Sequence, residues 1–293
     1  VVIPTWRREA VLVATVGAVL ELLRPGDELL VVDQTREHAR ATADALAGWE
    51  SAGMLRRIVL ERPSIPAAMN AGLVAARAPV VLFLDDDVVP EPGLLEAHRA
   101  AHGRGDAAVV AGRVVQPWEK AGAGAGTVAG AGAGSGARGP FAGGVAAWVE
   151  EFMGGNFSVR RDAAIAAGGF DASFVKAAYR FEKEFADRML AAGHRIRYEP
   201  AAGLEHLKAA TGGTRELAPH WYNPGHAVGE YYWLLRSRRV RGAAARIAWR
   251  PLRAVRTRYH LRRPWMIPVT LASEAAALAW AVGLRLRRPG LLP

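Results

Sequence analysis

The chain has no cysteine, so disulfides and thiolate metal centres are excluded, and cysteine usage says nothing of the compartment. No secretory leader is visible. The chain opens at Val1 inside a strand-like run, which implies that residues precede it, so the missing leader excludes little. Acidic residues are almost absent from the C-terminal part. Between Tyr231 and Pro293 fourteen arginines face the single Glu274, a balance of +13 that leaves −3 for the rest of a chain whose net charge is +10. A slightly acidic body with a basic tail points to an anionic partner for the tail. A dinucleotide-binding glycine loop is also missing. Gly134 to Gly139 has the spacing, but no strand precedes it and Pro140 follows, so it fails the context such a loop needs.

What is present is a regular alternation of short apolar runs and helical patterns. With 293 residues the chain can bury a full core and carry an appendage. Val1 to Ile3 reads as a strand ending at Pro4-Thr5, and residues 8–23 as a helix stopped by Pro25-Gly26. Leu29 to Val32 is a second strand ending at Asp33-Gln34-Thr35, and 36–52 a second helix. Arg57 to Leu60, then 65–77, repeat the unit. This order predicts a doubly wound, mostly parallel sheet flanked by helices.

The chain is organised around Val80-Val81-Leu82-Phe83-Leu84, which runs into Asp85-Asp86-Asp87. Five apolar residues with β-branched and aromatic members predict a strand buried on both faces. Alternation along an extended segment puts Asp85 and Asp87 on one side and Asp86 on the other. Two hard oxygen ligands on one side suit Mg²⁺ or Mn²⁺ holding phosphate oxygens. Pro4-Thr5, Asp33-Gln34 and the three aspartates all end strands, so they gather on one sheet edge, where open α/β sheets bind nucleotides.

These pieces, followed by Asn70-Ala-Gly72, Gly154-Gly155-Asn156, Gly168-Gly169-Phe170-Asp171, Phe181-Glu182-Lys183-Glu184, and Tyr198-Glu199-Pro200 with His206, resemble a family 2 glycosyltransferase of the GT-A fold over roughly residues 1–210. The resemblance implies an inverting transfer of a sugar, of hexosyl type, from a nucleotide diphosphate to a hydroxyl acceptor, assisted by Mn²⁺ or Mg²⁺. Pro4 and Thr5 would then meet the base through the backbone, and Asp33 the base or ribose. Asn70, Asp86 and Asn156 would complete the donor contacts with Asp85. Asp85, Asp87 and His206 would hold the metal. Such relatives carry a Glu-Asp pair at the start of the acidic helix. Here Glu182 falls where the aspartate stands, so it is the expected general base, with Glu184 as fallback. Met69 replaces an arginine common in relatives, and the Gln-x-x-Arg-Trp signature of processive synthases is missing, which favours single additions. A catalytically inactive GT-A domain that binds glycans or membranes is the alternative. A nucleotidyltransferase is disfavoured, because Pro4-Thr5-Trp6 occupies the place of a glycine-rich basic turn.

A GT-A domain is expected over residues 1–215, interrupted by a mobile Ala/Gly loop at 121–139, and an Arg-rich helical region over 216–293. Residues 236–263 combine eleven arginines with apolar residues at near-helical spacing, interrupted by Pro251, the pattern of a helix on an anionic membrane surface. Aromatics interleave too thinly for nucleic acid. Trp265 to Leu284 is long enough to span a bilayer, but Glu274 and Pro268 favour an interfacial helix. The reading places the enzyme in the cytoplasm, peripheral on the inner membrane face, with a glycan, lipid-linked or small-molecule acceptor.

Overall fold

The computed structural model of the chain describes residues 1–120, 141–213, 224–237 and 239–292; the expected loop at 121–139 lies outside them. The first half follows the predicted alternation: β1 (Val2–Thr5), α1 (Ala10–Leu20), β2 (Leu30–Asp33), α2 (Arg40–Ser51), β3 (Arg56–Val59), α3 (Ile65–Ala75) and β4 (Val80–Leu84). These strands pair in parallel in the order β3-β2-β1-β4. Along β4 the side chains divide by parity, as a strand buried on both faces requires. Val81 and Phe83 enter one apolar cluster, and Leu82 and Leu84 the other.

The second half departs from the parallel expectation. It comprises β5 (Val88–Pro90), α4 (Leu94–Gly103), β6 (Val109–Val115), α5 (Pro117–Lys120), β7 (Ala147–Val149), β8 (Asn156–Arg160), α6 (Arg161–Ala166), α7 (Phe181–Ala191) and β9 (Ile196–His206). β8 runs antiparallel to both β4 and β6, and β9 pairs parallel with β6 but antiparallel with β5 and β7. Among the described residues the sheet is therefore mixed, with nine strands. β8 hides in the sequence because it buries Asn156 and Ser158 among its apolar residues. Such groups enter a sheet interior only with hydrogen-bond partners, and α4 supplies them through His98 and His102. Phe83, Phe157, Phe170 and Phe185 pack ring on ring between β4, β8 and α7.

The C-terminal region holds α8 (Gly225–Arg236), α9 (Ala243–Val255), α10 (Arg258–Arg262) and α11 (Met266–Arg285). It shares a core with the sheet: Tyr231 and Tyr232 of α8, and Ala277, Ala281 and Leu284 of α11, join the Phe83 cluster. The Tyr232 hydroxyl donates to Asp171 at 2.8 Å and the Trp233 indole to Asp187 at 2.8 Å. α9 continues through Pro251 and buries none of its residues. Pro268 falls in the first turn of α11, where its missing N–H leaves no helical bond unmade. The sequence reading had both prolines as interruptions, and neither breaks its helix.

Candidate active site

Strand pairing builds the site. Thr5 lies opposite Asp33 at the ends of β1 and β2, and β5 pairs with β9 so that Val88 lies opposite His206. That register returns His206 to the turn after β4, although it stands 119 residues from Asp87. One ligand atom each from Asp85, Asp87 and His206 falls within 4.8 Å of the others. His206 Nε2 is 3.0 Å from Asp87 Oδ1 and 3.8 Å from Asp85 Oδ2. Asp85 is the open member, its side chain 44% exposed, whereas those of Asp87 and His206 are 2% and 5% exposed. Two carboxylates and an imidazole at this spacing form a donor set that fits Mn²⁺ and is acceptable to Mg²⁺.

Asp86 turns to the opposite side, as alternation requires, and accepts from the Thr5 hydroxyl at 2.7 Å and from Arg8 Nε at 3.2 Å. Burial pushes its carboxyl up to about 7, against the opposing pull of Thr5 and Arg8. Asp87 behaves differently. Burial raises it as well, but the His206 ring, Arg8 and the Ala209 N–H together hold its carboxyl below the usual value. Arg8, only 3% exposed, is the residue the sequence reading missed. Its Nη2 donates to Asp87 at 3.1 Å, and its Nη1 to the carbonyls of Ala209 and Thr211. One guanidinium thus ties the end of β1 to the aspartates and to the segment after His206. The signal was available: three aspartates closing a buried strand need a buried counter-charge, and Arg7-Arg8 follow the first strand.

Asp33 is 1% exposed. Its Oδ1 accepts from the Thr35 N–H at 2.9 Å, and its Oδ2 lies 3.0 Å from His38 Nε2 and 3.8 Å from Arg57. His38 also reaches Glu9 at 3.2 Å. Sequence gave no hint of His38 or Arg57, since both read as ordinary polar residues. Pro4 is a paired residue of β1, opposite Val32. Thr5 shapes the edge: its carbonyl accepts from the Gln34 N–H at 3.0 Å while its hydroxyl holds Asp86.

The two asparagines expected among the donor contacts bond to the protein's own groups here. The Asn70 amide both donates to and accepts from the Phe170 backbone, at 2.7 Å each way. It therefore clamps the turn containing Gly168 and Gly169, both at positive φ. The Asn156 amide donates to the carbonyls of Arg113 and Ala202, which leaves its oxygen to accept from His98 at 3.0 Å. Both side chains serve the scaffold.

Glu182 and Glu184 separate sharply. Glu184, 4% exposed, is held by Arg188 at 2.8 Å and faces Arg236 at 3.7 Å, away from the aspartates. The fallback base is thus tied up in ion pairs. Glu182 lies against Gly154, where an added Cβ would come within 2.9 Å of its carboxylate. Burial pushes Glu182 up to about 7 and the Asp85 charge adds to this; backbone N–H groups, Gly154 among them, pull back. The next residue, Gly155, touches the other acid: an added Cβ there would overlap the Asp85 carboxylate. The peptide Gly154-Gly155 therefore separates the would-be base from the metal site. The entry to α7 is strained, with Lys176, Ala178 and Arg180 all at positive φ. α8 braces it, because a Cβ on Gly229 would strike the Tyr179 carbonyl.

A cavity of about 740 Å³ lies elsewhere, at the amino ends of β1 and β4, between Val1, Pro79, His102 and Arg160.

Solved structures share this fold. The fold is similar to a mannosyltransferase, PcManGT, from Pyrobaculum calidifontis, solved with GDP-Man and Mn²⁺ (TM-score 0.57, 19% identity, covering 97% of this chain and 76% of that one). It is also similar to TarS residues 1–349 from S. aureus with UDP-GlcNAc (TM-score 0.61, 13% identity, 97% and 80% covered). A third likeness is to GalNAc-T7 with UDP, GalNAc and Mn²⁺ (TM-score 0.57, 12% identity, 82% and 51% covered). No curated protein matches the sequence. Residues 1–181 match the profile described as Glycosyl transferase family 2, and with more than half its length so matched, the chain belongs to that family.

Proposed function

We propose that the protein transfers a hexosyl group from a nucleotide-diphosphate donor to an acceptor hydroxyl with inversion at the anomeric carbon. The observation that carries this reading is the convergence of Asp85, Asp87 and His206 beside Glu182. A divalent cation held by the first three, Mn²⁺ or Mg²⁺, would offset the charge that develops on the departing diphosphate. Asp33 and the ends of β1 and β2 form the donor end of the cleft. Glu182 accepts the proton of the acceptor hydroxyl as that oxygen bonds to the anomeric carbon and the bond to the diphosphate oxygen breaks. A carboxyl pushed up to about 7 is well matched to such a step near neutral pH. Glu182 stands one methylene longer than the family's aspartate, and its packing against Gly154 sets the reach.

The three solved structures of similar fold hold GDP-Man, UDP-GlcNAc, and UDP with GalNAc, which supports a nucleotide sugar here without choosing the base. The basic tail supports a place on the inner face of the cell membrane, peripheral to the cytoplasm. The acceptor there would be lipid-linked or membrane-proximal, as in building cell-envelope glycan. The test is a thermal-shift series of UDP-, GDP- and dTDP-sugars, each with and without Mn²⁺, on the natural protein and on Asp87→Asn. One donor class should raise Tm only with metal, and Asp87→Asn should lose both that shift and transfer, by about a thousandfold or more. If no nucleotide sugar shifts Tm under any condition, the reading falls.

A further inference from the structure

The outward side of α11 is unlike any other exposed helix surface in the described residues. Its inward side carries Thr270, Glu274, Ala277, Ala281 and Leu284, which recur at helical spacing and are buried. Between residues 268 and 283 every exposed position is Pro, Val, Leu, Ala, Trp or Gly. Glu274 is the one charged residue in that stretch, and it points into the protein. It accepts from the Tyr231 hydroxyl at 2.8 Å and pairs with Arg250. The outer face therefore offers water no charge and, beyond the Trp280 indole and the half-buried Ser273, no hydrogen-bonding side chain over several turns, an arrangement soluble surfaces avoid. Large apolar groups stand at its ends, Trp265 at 66% and Leu286 at 83% exposure.

Arginines collar this face. Arg262 and Arg263 precede it, and Arg285, Arg287 and Arg288 follow. None of the five makes an ion pair among the described residues, so their charge is available to an anionic partner. A second copy of the chain is a poor fit, because a symmetric contact would set collar against collar. An anionic lipid surface fits both features: apolar groups enter the acyl boundary while guanidinium groups stay at phosphate level and tryptophan sits between them.

We propose that α11 lies flat in one leaflet of an anionic bilayer, its outer face in lipid and its inner face on the protein, and that it does not span. Resting on the proposed membrane location, this fixes its mode. Spanning would require α11 to leave α8, exposing Ala277, Ala281 and Leu284, and to part Glu274 from Tyr231 and Arg250. Removing one partner from a buried pair is costly, and the helix would then carry an uncompensated carboxylate into hydrocarbon.

The test uses the full chain with vesicles of phosphatidylcholine alone or mixed with phosphatidylglycerol. Flotation should recover the protein only with the anionic vesicles. Val269→Glu with Trp280→Glu, both at exposed positions, should weaken binding by about tenfold or more while leaving the melting curve and the donor-induced thermal shift intact. Because the chain has no cysteine, Ala272→Cys and Ala279→Cys can each carry a spin label. Both labels should report the same shallow depth. Depths that grade across the bilayer would establish a span and overturn the proposal. So would equal flotation with neutral vesicles, or a dimer in solution that Val269→Glu with Trp280→Glu dissociates. A protein that binds no nucleotide sugar but floats as expected would sink the transferase reading and leave this one standing.

Discussion

The two ends of this sheet treat buried ionisable groups in opposite ways. At the carboxyl ends of the parallel strands, burial of Asp87 is overcome by Arg8, His206 and a backbone N–H, and the carboxylate stays ionised. Towards the other end, burial of His98 and His102 wins. Both imidazoles are pushed down to about 4. Their hydrogen bonds explain why no charge is needed there. The Asn156 oxygen must accept from His98 Nε2–H, so His98 Nδ1 accepts from the Ser158 hydroxyl, whose oxygen accepts in turn from His102. One neutral tautomer of each ring satisfies the chain. The difference teaches that depth alone does not decide charge. Asp87 is held ionised by Arg8, His206 and a backbone N–H acting together, Asp86 beside the same Arg8 is still pushed up by burial, and the histidine ladder satisfies its polar atoms with neutral partners.

The largest effect should come from Glu182, whose carboxyl feels the Asp85 charge and, in the opposite sense, that of Arg180. Glu182→Gln is expected to lower kcat by about 10² to 10⁴ with donor binding retained, measured by transfer rate beside the thermal shift. Its acid limb is fixed by sign: the base must be ionised, so activity climbs through pH of about 7 and the limb vanishes in the variant. Stability runs the other way. A carboxyl raised in the fold favours folding below its unfolded value of 4.5, and that contribution is lost as pH rises through about 7. Glu182→Gln should therefore be the more stable protein at pH 8. Glu184→Gln, which removes the carboxylate from Arg188 and leaves Arg236 with Asp171, is expected to cost stability by about 1–3 kcal/mol instead.

Arg8 tests whether the counter-ion makes the carboxyl end what it is. Arg8→Lys keeps a charge but cannot reach Asp86, Asp87 and two carbonyls together. Mn²⁺ affinity should fall by about 10- to 100-fold, read by titration, as when a group that orients a ligand is lost. The smallest effect belongs to the histidine end. Groups whose values are depressed from 6.5 to about 4 give stability that is complete above 6.5 and is lost as pH falls towards 4, on the order of a few kcal/mol for the pair. Denaturant midpoints across that window should show the loss, and replacing His102 by Gln should flatten part of it.

Sequence was most informative where chemistry is local. β4 spans Val80–Leu84 as its apolar run predicts, and parity along Asp85-Asp86-Asp87 sorts the two aspartates grouped with His206 from the one that faces Thr5. It was least informative where a side chain takes its meaning from a distant partner. Asn70 and Asn156 read from sequence as donor contacts, but only closure of the fold brings Phe170 and Arg113 to their amides. Arg8 looks like a helix-start cation until the segment after His206 folds over it. The antiparallel strands escaped because β8 buries polar residues that a periodicity argument counts as surface.

The bare peptide at Gly154-Gly155 has a consequence for how such an enzyme can change. Glu182 and Asp85 stand on opposite flanks of two residues with nothing beyond their backbone, so the interval between these two carboxylates is gauged by main chain. A single methyl group at either position would widen it. Variation in sugar or acceptor must then arise around this gauge, in the surrounding loops, while the gauge itself stays at its narrowest setting.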